Sequence, residues 1–226
     1  MAPDAAGGDR LGIIGAGKFG TTLARAALAA GYEVAIAGSG PPEGMRLTLS
    51  VLAPGAQAMS PEDVARRSGV IVLAIPLHRF RELPPQLFEG RLVVDATNFW
   101  EPVDGSDAEV AGARHGTSAL LQGWFASARV VKSLNQLSYH QFEEHQRPHG
   151  APDRVAVGVA GDDRAAVAEV MRLVDRLGFD PVDVGRLANG VALEADGSPF
   201  ATTYTAEQLT NHVSETLGTP VTEARG

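Results

Sequence analysis

The sequence contains no cysteine, which excludes disulfide bonds, thiolate metal sites and a cysteine nucleophile. It has no apolar run near the roughly 20 residues that a membrane-spanning helix needs. It also has no basic region followed by an apolar stretch at its start, so we expect a cytoplasmic protein. The formal net charge of -8 leaves no basic footprint for nucleic acid or an anionic membrane.

Motifs of hydrolytic and metal chemistry are also missing. The sequence has neither an HExxH zinc motif nor a GxSxG nucleophile elbow. Three histidines, His140, His145 and His149, lie close together in the sequence, but a metal site needs more convergent ligands. We therefore interpret them as solvated side chains and expect no bound metal.

Short apolar runs alternate with helical stretches along the chain. The 226 residues, 44% of them hydrophobic, suffice for one large domain or one domain with a small extension. Strands are predicted at 11–14, 33–37, 69–74, 91–95, 128–131, 154–160 and 179–184, and helices at 21–30, at 162–177 and from Thr205 onward. This pattern indicates an α/β fold with a doubly wound parallel sheet covered on both faces. We expect a main domain at 9–135 and a small C-terminal α/β extension at 136–226.

A glycine-rich loop joins the first strand to the first helix. Its sequence, GAGKFG, matches the GxGxxG motif of Rossmann-type folds, and its place between a strand and a helix makes the match specific. Gly15 permits a tight turn, Gly17 leaves room for a pyrophosphate and Gly20 allows close helix–strand packing. The helix N-terminus adds unpaired N–H groups and partial positive charge. We therefore predict dinucleotide contacts at Gly15, Ala16, Gly17, Lys18, Phe19 and Gly20.

The end of the second strand lacks the acidic residue that binds the ribose 2′-hydroxyl of NAD. Ser39 and Gly40 stand there instead, so a 2′-phosphate meets no repulsion and both residues are predicted cofactor contacts. Arg46 is interpreted either as a further phosphate contact or as an ordinary surface residue. These residues favour NADP over NAD.

Further motifs, in this order and spacing, give the chain a family resemblance. They are VLAIPL from Val72, VVDATNFW from Val93, PVDG from Pro102, VVKSLN from Val130, VAGD from Val159 and GFDPVDVG from Gly178. With the glycine loop, they make the chain resemble the coenzyme F420-dependent NADP oxidoreductases. It is also similar to the cytosolic NADPH-binding domain of six-transmembrane ferric reductases. One position departs from the family pattern, because Gly40 stands where members commonly carry an arginine for the 2′-phosphate.

The resemblance implies NADP as cofactor and hydride transfer between nicotinamide and a planar acceptor, coenzyme F420. Since the two cofactors carry that chemistry, no catalytic side chain is assigned. Cofactor contacts are implied at Ala74, Ile75, Pro76, His78, Ala96, Thr97, Asn98, Ser133, Leu134 and Asn135. Leu137 and Leu187 are expected to border the acceptor ring, with Arg79 and Arg81 near its anionic tail. The resemblance also implies a homodimer, to which we expect the segment 193–217 to contribute.

Two other functions fit the same residues. The acceptor can instead be a flavin, a quinone, a ferric chelate, or a small carbonyl or imine. A carbonyl or an imine requires a proton donor, for which Tyr139 and His140 are the candidates. Alternatively, the protein is a redox sensor that binds the dinucleotide without turnover, if Phe99 and Trp100 block the nicotinamide pocket. The fold alone does not decide between these functions.

Cofactor preference is the first testable prediction. We expect the wild-type protein to bind NADPH more tightly than NADH. We expect Gly40→Arg to widen that difference, because a guanidinium forms two parallel hydrogen bonds with a phosphate. Isothermal titration calorimetry of both proteins with both nucleotides measures the ratio of the NADH and NADPH dissociation constants for each protein. Equal or reversed affinities in the wild type would contradict the NADP prediction.

Overall fold

A computed structural model describes residues 10–113, 115–194 and 200–221. Its strands are β1 Arg10–Ile14, β2 Glu33–Ala37, β3 Gln57–Ala58, β4 Val70–Leu73, β5 Leu92–Asp95, β6 Arg129–Ser133, β7 Ala156–Gly161 and β8 Asp180–Gly185. They form one sheet in the order β3-β2-β1-β4-β5-β6-β7-β8. The order reverses direction between β1 and β4, which confirms the doubly wound α/β fold expected from the sequence.

Helices connect the strands and cover the sheet. They are α1 Lys18–Ala29, α2 Pro42–Leu52, α3 Pro61–Arg67, α4 Glu101–Asp104, α5 Ala108–Ala111, α6 Thr117–Trp124, α7 Tyr139–Glu144, α8 Arg164–Arg176 and α9 Ala206–Leu217. Three segments form 3-10 helices, at Leu77–Glu82, Pro85–Phe88 and Leu187–Leu193. The predicted start of the last helix is confirmed, since Thr205 and Gln208 form a capping box at α9.

Strand direction differs from the sequence prediction in the last part of the sheet. β1 to β6 are parallel, but β7 pairs antiparallel with β6, and β8 then follows β7 in parallel. The connection between β6 and β7 contains only the six-residue α7. A parallel pairing would need a crossover helix that returns the chain to the edge where β6 begins, and this connection has none. The residues that follow β8 therefore lie at the edge where β6 starts.

The sheet buries both of its faces. On one face, α1 and α8 pack Leu23 and Val170 against strand residues such as Val131. On the other, α3 and α6 pack Val64 and Leu121 against the sheet. Because both faces are covered, the inner strands are apolar along their whole length, which is the pattern that made them recognisable in the sequence.

The C-terminal extension shares this sheet, because β7 and β8 belong to it. Helix α9 covers β7 and β8, and its residues Leu209 and Val213 are fully buried within the chain. In the described part of 193–217, Leu193, Leu209 and Val213 thus have partners in the same chain, whereas Phe200 is exposed and 195–199 lie outside the described residues. The homodimer and the division at residue 135 stay predictions. Among the described residues, no helix has the length and hydropathy to span a bilayer.

A buried arginine joins three elements near the start of β7. Arg154 is 4% exposed; it pairs with the Asp175 carboxylate at 2.9 Å and donates to the carbonyl oxygens of Asp175 and Phe179. It thereby connects β7 to the end of α8 and to the turn that leads into β8.

Arg154→Met is expected to lower the free energy of unfolding by about 2–4 kcal/mol, because it leaves buried acceptors without a donor. Urea denaturation measures the loss. Arg186→Met is the matched control: Arg186 is 85% exposed and lies 4.0 Å from Asp162, so the change should stay within about 0.5 kcal/mol. Equal losses in the two variants would contradict this role of Arg154.

Candidate functional site

Two glycines of the loop between β1 and α1 are required by the fold itself. Gly15 has a φ of 122°, and a Cβ there would lie 2.1 Å from the carbonyl oxygen of Ala74. A Cβ on Gly20 would lie 1.8 Å from the carbonyl oxygen of Gly15. The loop thus packs directly against the residues that follow β4 and against its own helix, as the motif predicts.

The middle glycine is different. Gly17 precedes α1 with an ordinary φ of -77°, and a Cβ added there would meet nothing within 4 Å. The fold therefore gives no reason for a glycine at this position. The open space lies at the N-terminus of the 12-residue α1, where unpaired N–H groups attract phosphate.

A cleft of about 610 Å³ lies beside this loop at the carboxyl ends of the strands. Residues 15–17, 38–40 and 74–76 line it, which brings together the phosphate loop, the turn after β2 and the loop after β4. One side of α2 closes it through Gly44, Met45 and Thr48. The sequence analysis did not detect α2, although Pro41, Pro42 and an acidic first turn precede its apolar residues.

An arginine–glutamate pair also lies in the cleft lining. Ser39 and Gly40 line the cleft as predicted, and so do Arg79 and Glu82. Arg79 donates two hydrogen bonds to Glu82, of 2.9 and 2.7 Å. The pKa of Glu82 lies below its ordinary value, chiefly because of these hydrogen bonds from Arg79. Arg46, in contrast, pairs only loosely with Glu43, at 3.7 Å.

A buried ion pair lies at the carboxyl ends of β5 and β6. The Lys132 ammonium group is 3.2 Å from Asp95, and both side chains are fully buried. Lys132 also donates to the carbonyl oxygen of Thr97 at 2.6 Å. Lys132 and Ser118 contact Oδ2 of Asp95. Oδ1 of Asp95 accepts from the backbone N–H and the hydroxyl of Thr97. These bonds fix the start of the 96–98 loop.

The loops after β5 and β6 hold each other through asparagines. Asn98 donates to the Asn135 carbonyl oxygen at 2.7 Å, and Asn135 donates to the Asn98 side chain at 2.9 Å and to the Leu193 carbonyl oxygen at 2.6 Å. Among the described residues, the side-chain oxygen of Asn135 has no donor. Leu134, which directly precedes Asn135, has a φ of 64°. A strained residue beside an unsatisfied acceptor is characteristic of functional loops.

Several predicted contacts lie outside the cleft lining. Phe19 packs edge-on against Phe142 in the core, and Lys18 donates to the Tyr139 hydroxyl at 3.4 Å. Ala96, Thr97, Ser133 and Leu134 belong to the hydrogen-bonded loops further along the same sheet edge. Leu137 is 4% exposed and part of the hydrophobic core, so it offers little surface to an acceptor.

The predicted position of Leu187 at the acceptor ring is wrong. Leu187 is buried in the core cluster with Leu121 and Val130, and its N–H donates to Asp162, which follows β7. The prediction assumed that β8 ends at the carboxyl edge of the parallel strands. Because β7 and β8 run in the opposite direction, the chain after β8 starts at the far edge of the sheet, and the residue that returns to the site is Leu193.

The loop after β4 and the loop after β5 are connected by a histidine–aspartate pair. Nδ1 of His78 lies 2.9 Å from Asp104, and Asp104 also accepts the backbone N–H groups of His78 and Trp100. The Asp104 side chain is 2% exposed and that of His78 is 40% exposed. Sequence reasoning placed His78 at the site but missed Asp104, which lies 26 residues further on.

The remaining candidates have solvent-facing or paired positions. Arg81 contacts Asp107 and Glu109, so its charge is already matched. Trp100 is 64% exposed and does not fill a pocket. Within the described ranges, no group of three or more metal-ligating side chains is present.

The fold and the glycine loop define the class of the protein, a Rossmann-type α/β protein. Residues 10–99 match the sequence model of the family described as NADP oxidoreductase, coenzyme F420-dependent. This match confirms the resemblance found in the motifs. The matched residues run from β1 through the loop that follows β5, so the similarity to this family covers that part of the chain.

Individual proteins are also similar to this chain. Metalloreductase STEAP3 of Rattus norvegicus is 26% identical over 193 residues, which is 82% of this chain and 36% of that protein. The structure of the hypothetical protein SMa0349 from Sinorhizobium meliloti has a TM-score of 0.74 at 26% identity, covering 86% of this chain and 94% of that one. A protein of Arthrobacter sp. FB24, provisionally assigned as an F420-dependent NADP reductase, has a TM-score of 0.70 at 23% identity, covering 93% and 96%. The chain spans about a third of the length of the curated relatives it matches.

Gly17→Val is expected to abolish NADPH binding and to leave the thermal unfolding midpoint nearly unchanged, because its side chain occupies only the open space of the cleft. Fluorescence titration with NADPH and a thermal melt measure the two effects. Gly123→Val is the matched control, since a Cβ at Gly123 in α6 also meets nothing within 4 Å. Normal binding by Gly17→Val would show that the loop is not the site.

Proposed function

We propose that this protein is an NADP(H)-dependent oxidoreductase that transfers a hydride between nicotinamide and a planar acceptor, coenzyme F420. The observation that carries the proposal is the open space at Gly17, at the N-terminus of α1 within the cleft. Packing explains Gly15 and Gly20, but the space at Gly17 is open. A pyrophosphate at the N-terminus of α1 fits that space.

The order of the loops supports one direction for the dinucleotide. The turn after β2 contributes Ser39 to the cleft, and no acidic residue ends β2, so the adenosine with a 2′-phosphate suits this end. The nicotinamide half then extends past Pro76 toward the loops after β5 and β6. When bound, NADPH supplies the hydride.

The residues of this chain position the reactants and exclude water. Asp95 and Lys132 fix the 96–98 loop, and the asparagine pair joins it to the 133–135 loop. The Trp100 ring is 64% exposed, so it does not fill a pocket in the way that the sensor interpretation requires of it. The choice of coenzyme F420 as acceptor rests on the family match at 10–99.

The test is an absorbance assay with NADPH and oxidised coenzyme F420. We expect bleaching of the deazaflavin band that depends on enzyme and is slower with NADH. Ferric citrate and a cyclic imine serve as alternative acceptors in parallel reactions, since a metalloreductase is among the relatives. Turnover of one of these but not of F420 would contradict the proposed acceptor. Tight NADPH binding without turnover of any of them would indicate the sensor.

A further inference from the structure

We propose that His78, held by Asp104, donates a proton to the acceptor while the acceptor receives the hydride. The inference rests on the proposed function and defines its substrate class: acceptors whose two-electron reduction also takes up a proton. A deazaflavin, an imine and a carbonyl belong to this class, whereas a ferric chelate does not.

The geometry of the pair is that of an oriented histidine. Nδ1 of His78 faces the Asp104 carboxylate at 2.9 Å, so Nδ1 is the donor in this bond and Nε2 points away from it. Asp104 is itself fixed, because it accepts the N–H groups of His78 and Trp100 at 3.0 and 2.7 Å. Its side chain is 2% exposed, whereas that of His78 is 40% exposed. The aspartate is thus the buried orienting group, and the imidazole is the accessible one.

The pair lies between the two loops that flank the proposed nicotinamide position. His78 follows Pro76 by two residues, and Pro76 lines the cleft. Trp100, whose N–H is bound by Asp104, follows Asn98 by two residues on the neighbouring strand's loop. The pair thus joins the loops after β4 and β5, both at the carboxyl edge of the sheet, where the nicotinamide half is proposed to bind.

The proton balance of the reaction calls for such a donor. An electrophilic ring carbon of the acceptor receives the hydride, so a C–H bond breaks at nicotinamide C4 and one forms on the acceptor. The displaced electron pair of the acceptor ends on a conjugated nitrogen or oxygen. His78 Nε2 gives its proton to that atom, becomes neutral imidazole and is reprotonated by solvent.

The charged groups close to His78 in the chain are already paired. Glu82, on the same 3-10 helix, is held by Arg79, and Arg81 is held by Asp107 and Glu109. Asp104 is the acidic group from α4 that contacts His78. Because His78 gives up a proton in this step, a side chain without an ionisable proton at this position cannot replace it.

The experiment measures kcat against pH with NADPH and oxidised coenzyme F420 as probes. His78→Gln keeps a hydrogen-bonding side chain but has no titrating group. We expect it to lower kcat by about 10²-fold and to change the dependence of kcat on pH. Added imidazole should restore part of the rate of His78→Ala. His149→Gln is the matched control, because His149 makes an equivalent pair with Asp175 at 3.0 Å elsewhere on the surface.

A second readout needs no turnover. Nitrogen-resolved NMR of the free protein should show a proton on Nδ1 of His78, and Asp104→Asn should change that resonance and leave the resonance of His149 in place. Wild-type kcat and pH profile in His78→Gln would overturn the proton donor and leave the proposed function standing. A wild-type protein that binds NADPH but reduces neither F420 nor a cyclic imine would overturn both.

Discussion

Lys132 and Asp95 form an ion pair with no solvent exposure where β5 and β6 end, and the loops of the site depend on it. A buried charge is tolerated only when it is paired and hydrogen-bonded. Here Asp95 accepts from Thr97 and Ser118 as well as from Lys132. These bonds fix the turn of the chain after β5 at Thr97. Asn98 therefore lies where it can bind Asn135 in the neighbouring loop.

The antiparallel direction of β7 relative to β6 determines where the C-terminal extension contacts the candidate site. Because β7 and β8 run against the first six strands, the residues after β8 start at the far edge and return along one face of the sheet as the 3-10 helix Leu187–Leu193. The absence of a side chain at Gly190 lets this helix lie against the aliphatic part of Lys132, since a Cβ there would be 3.1 Å from it. The same ion pair thus positions both the loops of the main domain and the segment that covers them.

The sequence predicted the parts of this structure that depend on local pattern. Apolar strands, the glycine loop and the capping box at Thr205 have local physical causes and are where they were expected. The direction of β7, the position of Leu187 and the partner of His78 depend on contacts between residues far apart in the chain, such as His78 with Asp104. Charged residues at the ends of two apolar strands, Asp95 and Lys132, were a usable indication of the buried pair, because a parallel sheet brings such ends together.

The central claim is that a dinucleotide lies along the carboxyl ends of the strands, with its pyrophosphate at Gly17. A crystal structure of the protein with NADP⁺ tests it most directly. We expect the 2′-phosphate beside Ser39, the pyrophosphate at the N-terminus of α1, and the nicotinamide at the loops after β5 and β6. A dinucleotide bound away from this cleft, or one with its nicotinamide at the β2 end, would contradict the account.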